Sequence, residues 1–90
     1  MADLLSEYYK TIDNLDDGII KMLNLRLHYC WFVGKYKREN NILIDTTERD
    51  AEILNRLKEK AEFDGMVEPV WNEILNLSRS VEGNNLVISN

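Results

Sequence analysis

Two basic residues in the N-terminal half of the chain, Arg26 and Lys37, lie on a stripe of apolar residues at helical spacing. They are eleven residues apart, which at about 100° per residue is only about 20° more than three full turns, so both side chains point the same way. The residues that share this face are Ile12, Ile19, Leu23, Cys30 and Val33. Farther along, Arg49 shares a helical face with Ile53 and Leu57. The pattern predicts three cations that face the interior of a small helical protein.

A hydroxyl and a carboxyl group end a further stripe, formed by Trp71, Ile74 or Leu75, Ser78 and Glu82. A single inward cation usually extends its charged end to solvent along its own aliphatic stem, and Glu82 could be a structural partner of one cation. Three inward cations against one inward carboxyl would leave uncompensated buried charge, which costs roughly several kcal/mol. An anionic ligand removes that cost, and a dicarboxylate fits the charges best.

Helices are the elements that must position these side chains, because only four glycines and one proline interrupt the chain. We predict an all-α fold in a single domain of residues 1–90, in which about 83–90 form a loose C-terminal tail. Thr47 and Asp50 approximate a capping box that opens the second helix. The predicted helices run from Asp3 to about Lys37, from Thr47 to about Glu62, and from the turn that contains Pro69 to about Glu82.

The length of the first predicted helix has a consequence for assembly. About 35 residues at 1.5 Å each span roughly 50 Å, whereas a compact domain of this size has a radius of gyration of about 12 Å. The helix must extend beyond its own fold, and its apolar stripe must be covered. We predict an intertwined homodimer with a second copy of the chain; a helical hairpin kinked near Gly18 is the alternative.

Composition excludes several classes of function. The net charge of −5 argues against nucleic acid as a partner. No apolar run approaches the roughly 18 residues of a membrane span, and the N-terminus does not resemble a signal peptide, so we expect a cytoplasmic protein. The single cysteine, Cys30, and the single histidine, His28, make neither a disulfide nor a zinc site. We expect no metal and no cofactor.

These residues, taken in order, resemble the all-helical, intertwined-dimer class of chorismate mutase, from about residue 5 to residue 82. The first helix of that family carries Ile-Asp-x-Ile/Leu-Asp, then an arginine, then Val-Gly-x-x-Lys. The second helix opens with Arg-Glu, and the third ends in a serine followed four residues later by glutamine or glutamate. The matching residues here are Ile12-Asp13-Asn14-Leu15-Asp16, Arg26, Val33-Gly34-Lys35-Tyr36-Lys37, Arg49-Asp50, Ser78 and Glu82.

The resemblance implies the rearrangement of chorismate to prephenate, a step of aromatic amino acid biosynthesis by the shikimate pathway. The reaction is pericyclic and requires no nucleophile, metal or redox cofactor. By the resemblance, Arg26 and Arg49 bind the two substrate carboxylates, while Lys37 and Glu82 donate to the ether oxygen from opposite sides. Such donors stabilise the charge that develops as the C–O bond breaks.

The remaining candidate residues include two departures from the family. By the resemblance, Asp50 accepts a hydrogen bond from the substrate hydroxyl and Ser78 lines the ring side. Tyr9, with Lys10 beside it, stands where the family has an arginine that reaches into the partner's active site. Thr46 stands where the family often has an aspartate. A tyrosine donates one hydrogen bond to a carboxylate but supplies no charge.

Two other functions stay open at this point. Related enzymes of the same fold act on isochorismate or aminodeoxychorismate, and the residues at positions 9 and 46 keep that reading open. A catalytically silent helical dimer with a regulatory or binding role is the other reading, supported by the missing arginine. Product analysis with each compound, and binding of a chorismate analogue, separate the three.

Overall fold

The computed structural model describes residues 3–84, which form three α-helices and no strand. This confirms the predicted all-α class. Residues 83 and 84 form a turn after the last helix, and the remainder of the predicted C-terminal tail lies outside the described residues. The helices are α1 (Leu4–Glu39), α2 (Thr47–Lys60) and α3 (Val67–Glu82).

The first helix is a single continuous element of 36 residues, which corresponds to a length of about 54 Å. The side chain of Asp3 caps its N-terminus by accepting a hydrogen bond from the backbone N–H of Leu5 at 3.0 Å. The helix continues through Gly18 and ends at Glu39, two residues beyond the predicted end. The kinked hairpin considered from the sequence is therefore wrong.

The start of α2 differs from the predicted capping box. Thr47 is already the first helical residue, and its N–H and hydroxyl both donate to Oδ1 of Asp45, at 3.0 and 2.8 Å. These two hydrogen bonds lower the pKa of Asp45, and the one from the backbone N–H has the larger effect. The hydroxyl of Thr46 donates to the side chain of Asp50 at 3.0 Å instead of to the helix backbone. The box prediction was wrong because the side chain of Asp50 bonds to Thr46 and does not return to the backbone of Thr47.

The connection between α2 and α3 is a tight turn. Gly65 adopts a φ of 71°, a left-handed conformation that glycine reaches without a steric penalty. Pro69 lies in the first turn of α3, as predicted, where its missing N–H costs no helical hydrogen bond. Lys58 pairs with Glu68 across the turn at 2.7 Å. The two helices therefore run antiparallel.

The three helices form a single layer, with extents of 61 × 34 × 15 Å. The smallest dimension is little more than the diameter of one helix, about 10–12 Å. α3 packs against both α1 and α2, and the buried apolar residues of the described chain are Ile53, Val67, Leu75 and Val81. Within residues 3–84, no helix combines the length and apolar character needed to cross a bilayer.

Gly34 is the one buried residue of α1, and it sets how closely α3 approaches. A Cβ at this position would lie 2.6 Å from the Cα and 2.8 Å from the carbonyl carbon of Glu82. Backbone atoms have no rotamer through which to move away. Only a glycine therefore permits this contact between the end of α3 and α1.

We expect Gly34→Ala to lower the free energy of unfolding by about 1–3 kcal/mol, because the added methyl forces the two helices apart. Gly18→Ala is the matched control. Apart from the neighbouring residues and backbone of α1 itself, no atom of residues 3–84 lies within 4 Å of a Cβ at that position, and alanine is favoured over glycine in a helix by up to about 1 kcal/mol. Urea unfolding at equal protein concentration measures both. An unchanged stability for Gly34→Ala contradicts the close contact.

Candidate active site

A pocket of about 250 Å³ lies where the three helices meet. Nearly every site residue predicted for this part of the chain lines it, together with apolar residues from each helix. The lining residues are Arg26, Tyr29, Cys30, Val33, Lys37, Thr46, Arg49, Asp50, Ile53, Leu75, Ser78 and Glu82.

Arg26 reaches across from α1 to α3. Its guanidinium donates to the hydroxyl of Ser78 and, more weakly, to the sulfur of Cys30 at 3.7 Å. Ser78 is buried, with 4% of its surface exposed, and its hydroxyl donates to the carbonyl of Ile74 at 2.7 Å. Among the described residues, no carboxylate lies within 4 Å of the guanidinium of Arg26. Its charge is therefore available to an anion in the pocket.

Lys37 and Glu82 form the best-buried ion pair of the described chain. Nζ of Lys37 lies 2.9 Å from Oε1 of Glu82, and the two side chains are 20% and 9% exposed. The guanidinium of Arg38 donates to the backbone carbonyl of Glu82, and Gly34 packs against the same backbone. Glu82 is thus held by α1 through its side chain and its main chain. The structural pairing of Glu82 with a cation, considered from the sequence, is present.

Asp50 provides a second inward carboxylate that the three-to-one charge count from the sequence omitted. Its Oδ2 accepts hydrogen bonds from the hydroxyl of Thr46 and from the guanidinium of Arg79. The Asp50 side chain is 17% exposed, whereas that of Arg79 is 43% exposed and does not line the pocket. The first turn of α2 is therefore tied to α3 beside the pocket.

Arg49 lines the pocket but is less buried than its helical face predicted. Its side chain is 66% exposed, and its partner Glu52, at 3.4 Å, is 62% exposed. Ion pairs between such exposed groups contribute little, typically about 0–1 kcal/mol. Arg49 therefore remains able to turn its guanidinium to a ligand.

Some charged residues of the pocket form ion pairs, and two cations are left without a strong partner in the described part of the chain. Lys37 is balanced by Glu82, and Asp50 by Arg79. Arg26 and Arg49 are the two lining cations without a strong partner among the described residues. A guanidinium matches a carboxylate in a planar, bidentate arrangement, so the pocket suits an anion with two carboxylates. Within residues 3–84, no three His, Cys, Asp or Glu side chains come together to hold a metal ion.

Tyr9 and Lys10 are not brought to this pocket. Both are exposed on the N-terminal part of α1. Tyr9 precedes Arg26 by 17 residues, or about 25 Å along the helix axis. Within one chain, these two residues cannot contact a ligand that Arg26 binds.

Two residues at the site were missed by sequence reasoning, Arg38 and Arg79. Each directly follows a predicted site residue and so lies off the apolar stripe, which is why periodicity gave no signal for it. Arg38 bonds to a backbone carbonyl, which no side-chain pattern records. Arg79 pairs with a residue 29 positions away.

Residues 8–83 match the family model of chorismate mutase type II. The chain belongs to this family. Chorismate mutases are isomerases that convert chorismate, a dicarboxylate, to prephenate in aromatic amino acid biosynthesis, and this is the reaction of the chain. No curated protein and no solved structure gave a significant match.

We expect Arg26→Ala and Lys37→Ala each to lower kcat/KM for chorismate by at least about 100-fold, because each removes a charged donor from the pocket. Lys35→Ala is the matched control, since Lys35 is on the same helix, is 55% exposed and pairs with Glu39 on the surface. Steady-state assays of chorismate loss, with circular dichroism to verify folding, measure the effect. A near-normal rate in a folded Arg26 or Lys37 variant places the reaction elsewhere.

Proposed function

We propose that chorismate binds in the pocket between the three helices with its two carboxylates on Arg26 and Arg49. The observation that carries this proposal is the charge pairing in the pocket, which leaves these two arginines for a ligand. Binding both carboxylates restricts the flexible substrate to the geometry in which its reacting carbons meet. Ser78, whose hydroxyl is fixed by Ile74 and Arg26, lines the ring side.

Lys37 and Glu82 act on the ether oxygen in this proposal. The C–O bond breaks as the new C–C bond forms, and negative charge develops on that oxygen in the transition state. Lys37 has three N–H donors, so it keeps its bond to Glu82 while donating to the substrate. Glu82 donates only when it is protonated; Lys37 then donates to one oxygen of a neutral carboxyl, and the O–H of the other oxygen donates to the ether oxygen. Because both groups are fixed before the substrate arrives, little reorganisation accompanies the reaction.

Asp50 and Thr46 complete the polar side of the site. Asp50 accepts a hydrogen bond from the ring hydroxyl of chorismate. Thr46 is buried, with 8% of its surface exposed, and its hydroxyl is used by Asp50. Thr46 therefore contributes to substrate binding by holding that carboxylate as well as by lining the pocket.

We further propose that the active enzyme is an intertwined homodimer. The chain exposes 7508 Å², whereas a compact monomer of 90 residues exposes about 5,500 Å². The excess lies within the roughly 1,000–2,500 Å² that each partner buries in an obligate dimer. Large apolar side chains are exposed along the first two-thirds of α1: Leu4, Leu5, Tyr8, Tyr9, Ile12, Leu15, Ile19, Ile20, Met22 and Leu25.

The dimer also gives a role to Tyr9 and Lys10. We propose that the N-terminal part of α1 crosses the partner's pocket, so that one of these residues assists in binding a carboxylate there. The tyrosine offers a neutral hydrogen bond and Lys10 a charge, where the family has an arginine. Each pocket then contains residues of both chains.

Sedimentation should therefore show a dimer at all concentrations at which the protein is folded, because one layer of helices has too small a core to fold alone. Unfolding should be bimolecular, with a midpoint that rises with protein concentration. A compact, folded monomer at low micromolar concentration would contradict the proposal.

The pH dependence of the rate tests Glu82. Since a carboxyl donates only when it is protonated whereas an amide donates at every pH, Glu82→Gln should stay active, and its kcat/KM should depend less on pH than that of the wild type. The control is Glu39→Gln, an exposed carboxylate of α1 that pairs with Lys35, which should keep the wild-type profile. A wild-type rate that is flat or rises with pH, together with an inactive Glu82→Gln, removes Glu82 from the donor role.

A further inference from the structure

The described residues form hydrogen bonds to only one oxygen of the Asp50 carboxylate. The hydroxyl of Thr46 and the guanidinium of Arg79 both donate to Oδ2. No donor among residues 3–84 reaches Oδ1 within hydrogen-bond distance. Asp50 lines the pocket, so its second oxygen is the one left for a ligand.

Arg79 stands behind this carboxylate. It lies on α3, outside the pocket lining, and its second guanidinium nitrogen donates to the side-chain oxygen of Asn76. Asn76 is neutral, so the positive charge of Arg79 is matched by Asp50 alone among the described residues. Because the Arg79 side chain is 43% exposed, the pair contributes little to stability. Its main effect is on the orientation of the Asp50 carboxylate.

We propose that Arg79 is a positioning residue that makes the site selective for a substrate with a ring hydroxyl. This inference rests on the proposed role of Asp50 as the acceptor of that hydroxyl. Arg79 holds Oδ2 of Asp50, which leaves Oδ1 to accept the hydrogen bond of the ring hydroxyl. A ligand without the hydroxyl leaves Oδ1 unpaired, and such unpaired polar groups discriminate strongly between ligands.

The test compares Arg79→Met with Arg56→Met. Arg56 is an exposed arginine of α2 whose side chain makes no ion pair or hydrogen bond with another residue of 3–84, so Arg56→Met should behave as the wild type. Arg79→Met should raise KM for chorismate by about 10-fold, a coupling typical of residues in contact, with a smaller change in kcat. Arg79→Lys should recover part of the loss, since it restores the charge.

Two further measurements exclude a general structural effect. Arg79→Met should weaken binding of chorismate but not of its analogue without the ring hydroxyl, measured as a competitive inhibitor. In an Asp50→Ala background, Arg79→Met should have no additional effect on KM. Circular dichroism and thermal unfolding verify that each variant is folded. If Arg79→Met does not fold, the two ligands are compared with Arg79→Lys instead.

The outcomes separate the inference from the function on which it rests. If Asp50→Ala leaves kcat/KM unchanged, the proposed role of Asp50 is wrong and the inference is overturned with it. If Asp50→Ala lowers kcat/KM and Arg79→Met does not, the inference alone is overturned. It is overturned as well if Arg79→Met affects the two ligands equally, or if its effect persists without Asp50.

Discussion

The close approach of α3 to α1 at Gly34 is the contact on which the site depends. With no Cβ between them, the backbone of Glu82 lies directly against α1, within reach of Lys37 and Arg38 one turn farther along. The same crossing places Ser78 against Arg26. A displacement of even 1 Å here would disrupt all three contacts, because charge-assisted hydrogen bonds weaken steeply outside their preferred distance. One missing side chain therefore fixes the positions of three cations.

The charged residues of the pocket are of two kinds: those that pair with each other and organise the pocket, and those that remain able to bind a ligand. Lys37 with Glu82, and Asp50 with Arg79, are internally compensated. Arg26 and Arg49 are not. A pocket whose every charge were paired would attract no dianion, and one with three unpaired cations would be costly to assemble in a half-buried place. The protein has a net charge of −5, yet its pocket is locally positive, since these fields act over a few ångströms.

A single layer of helices makes folding and assembly inseparable in the proposed dimer. The described chain buries only a few apolar side chains, most of them on α3, and domains normally bury their apolar faces between two layers. The exposed stripe of α1 would supply the missing layer to a partner. In such a dimer the two chains can also share their active sites. The helix of one chain that covers the partner's core also passes the partner's pocket.

The sequence by itself determined the all-α class, the long first helix, the place of Pro69 in the first turn of the third helix and most of the pocket lining, because helical periodicity places Arg26, Lys37, Ser78 and Glu82 on inward faces. It also identified the family, whose motifs are short-range spacings along single helices. Tertiary structure decided which groups pair across helices. Periodicity reports the direction of a side chain on its own helix and carries no information about what lies opposite. The Asp50–Arg79 pair forms only when α2 packs against α3, and the bond of Arg38 to the Glu82 carbonyl forms only when α3 packs against α1.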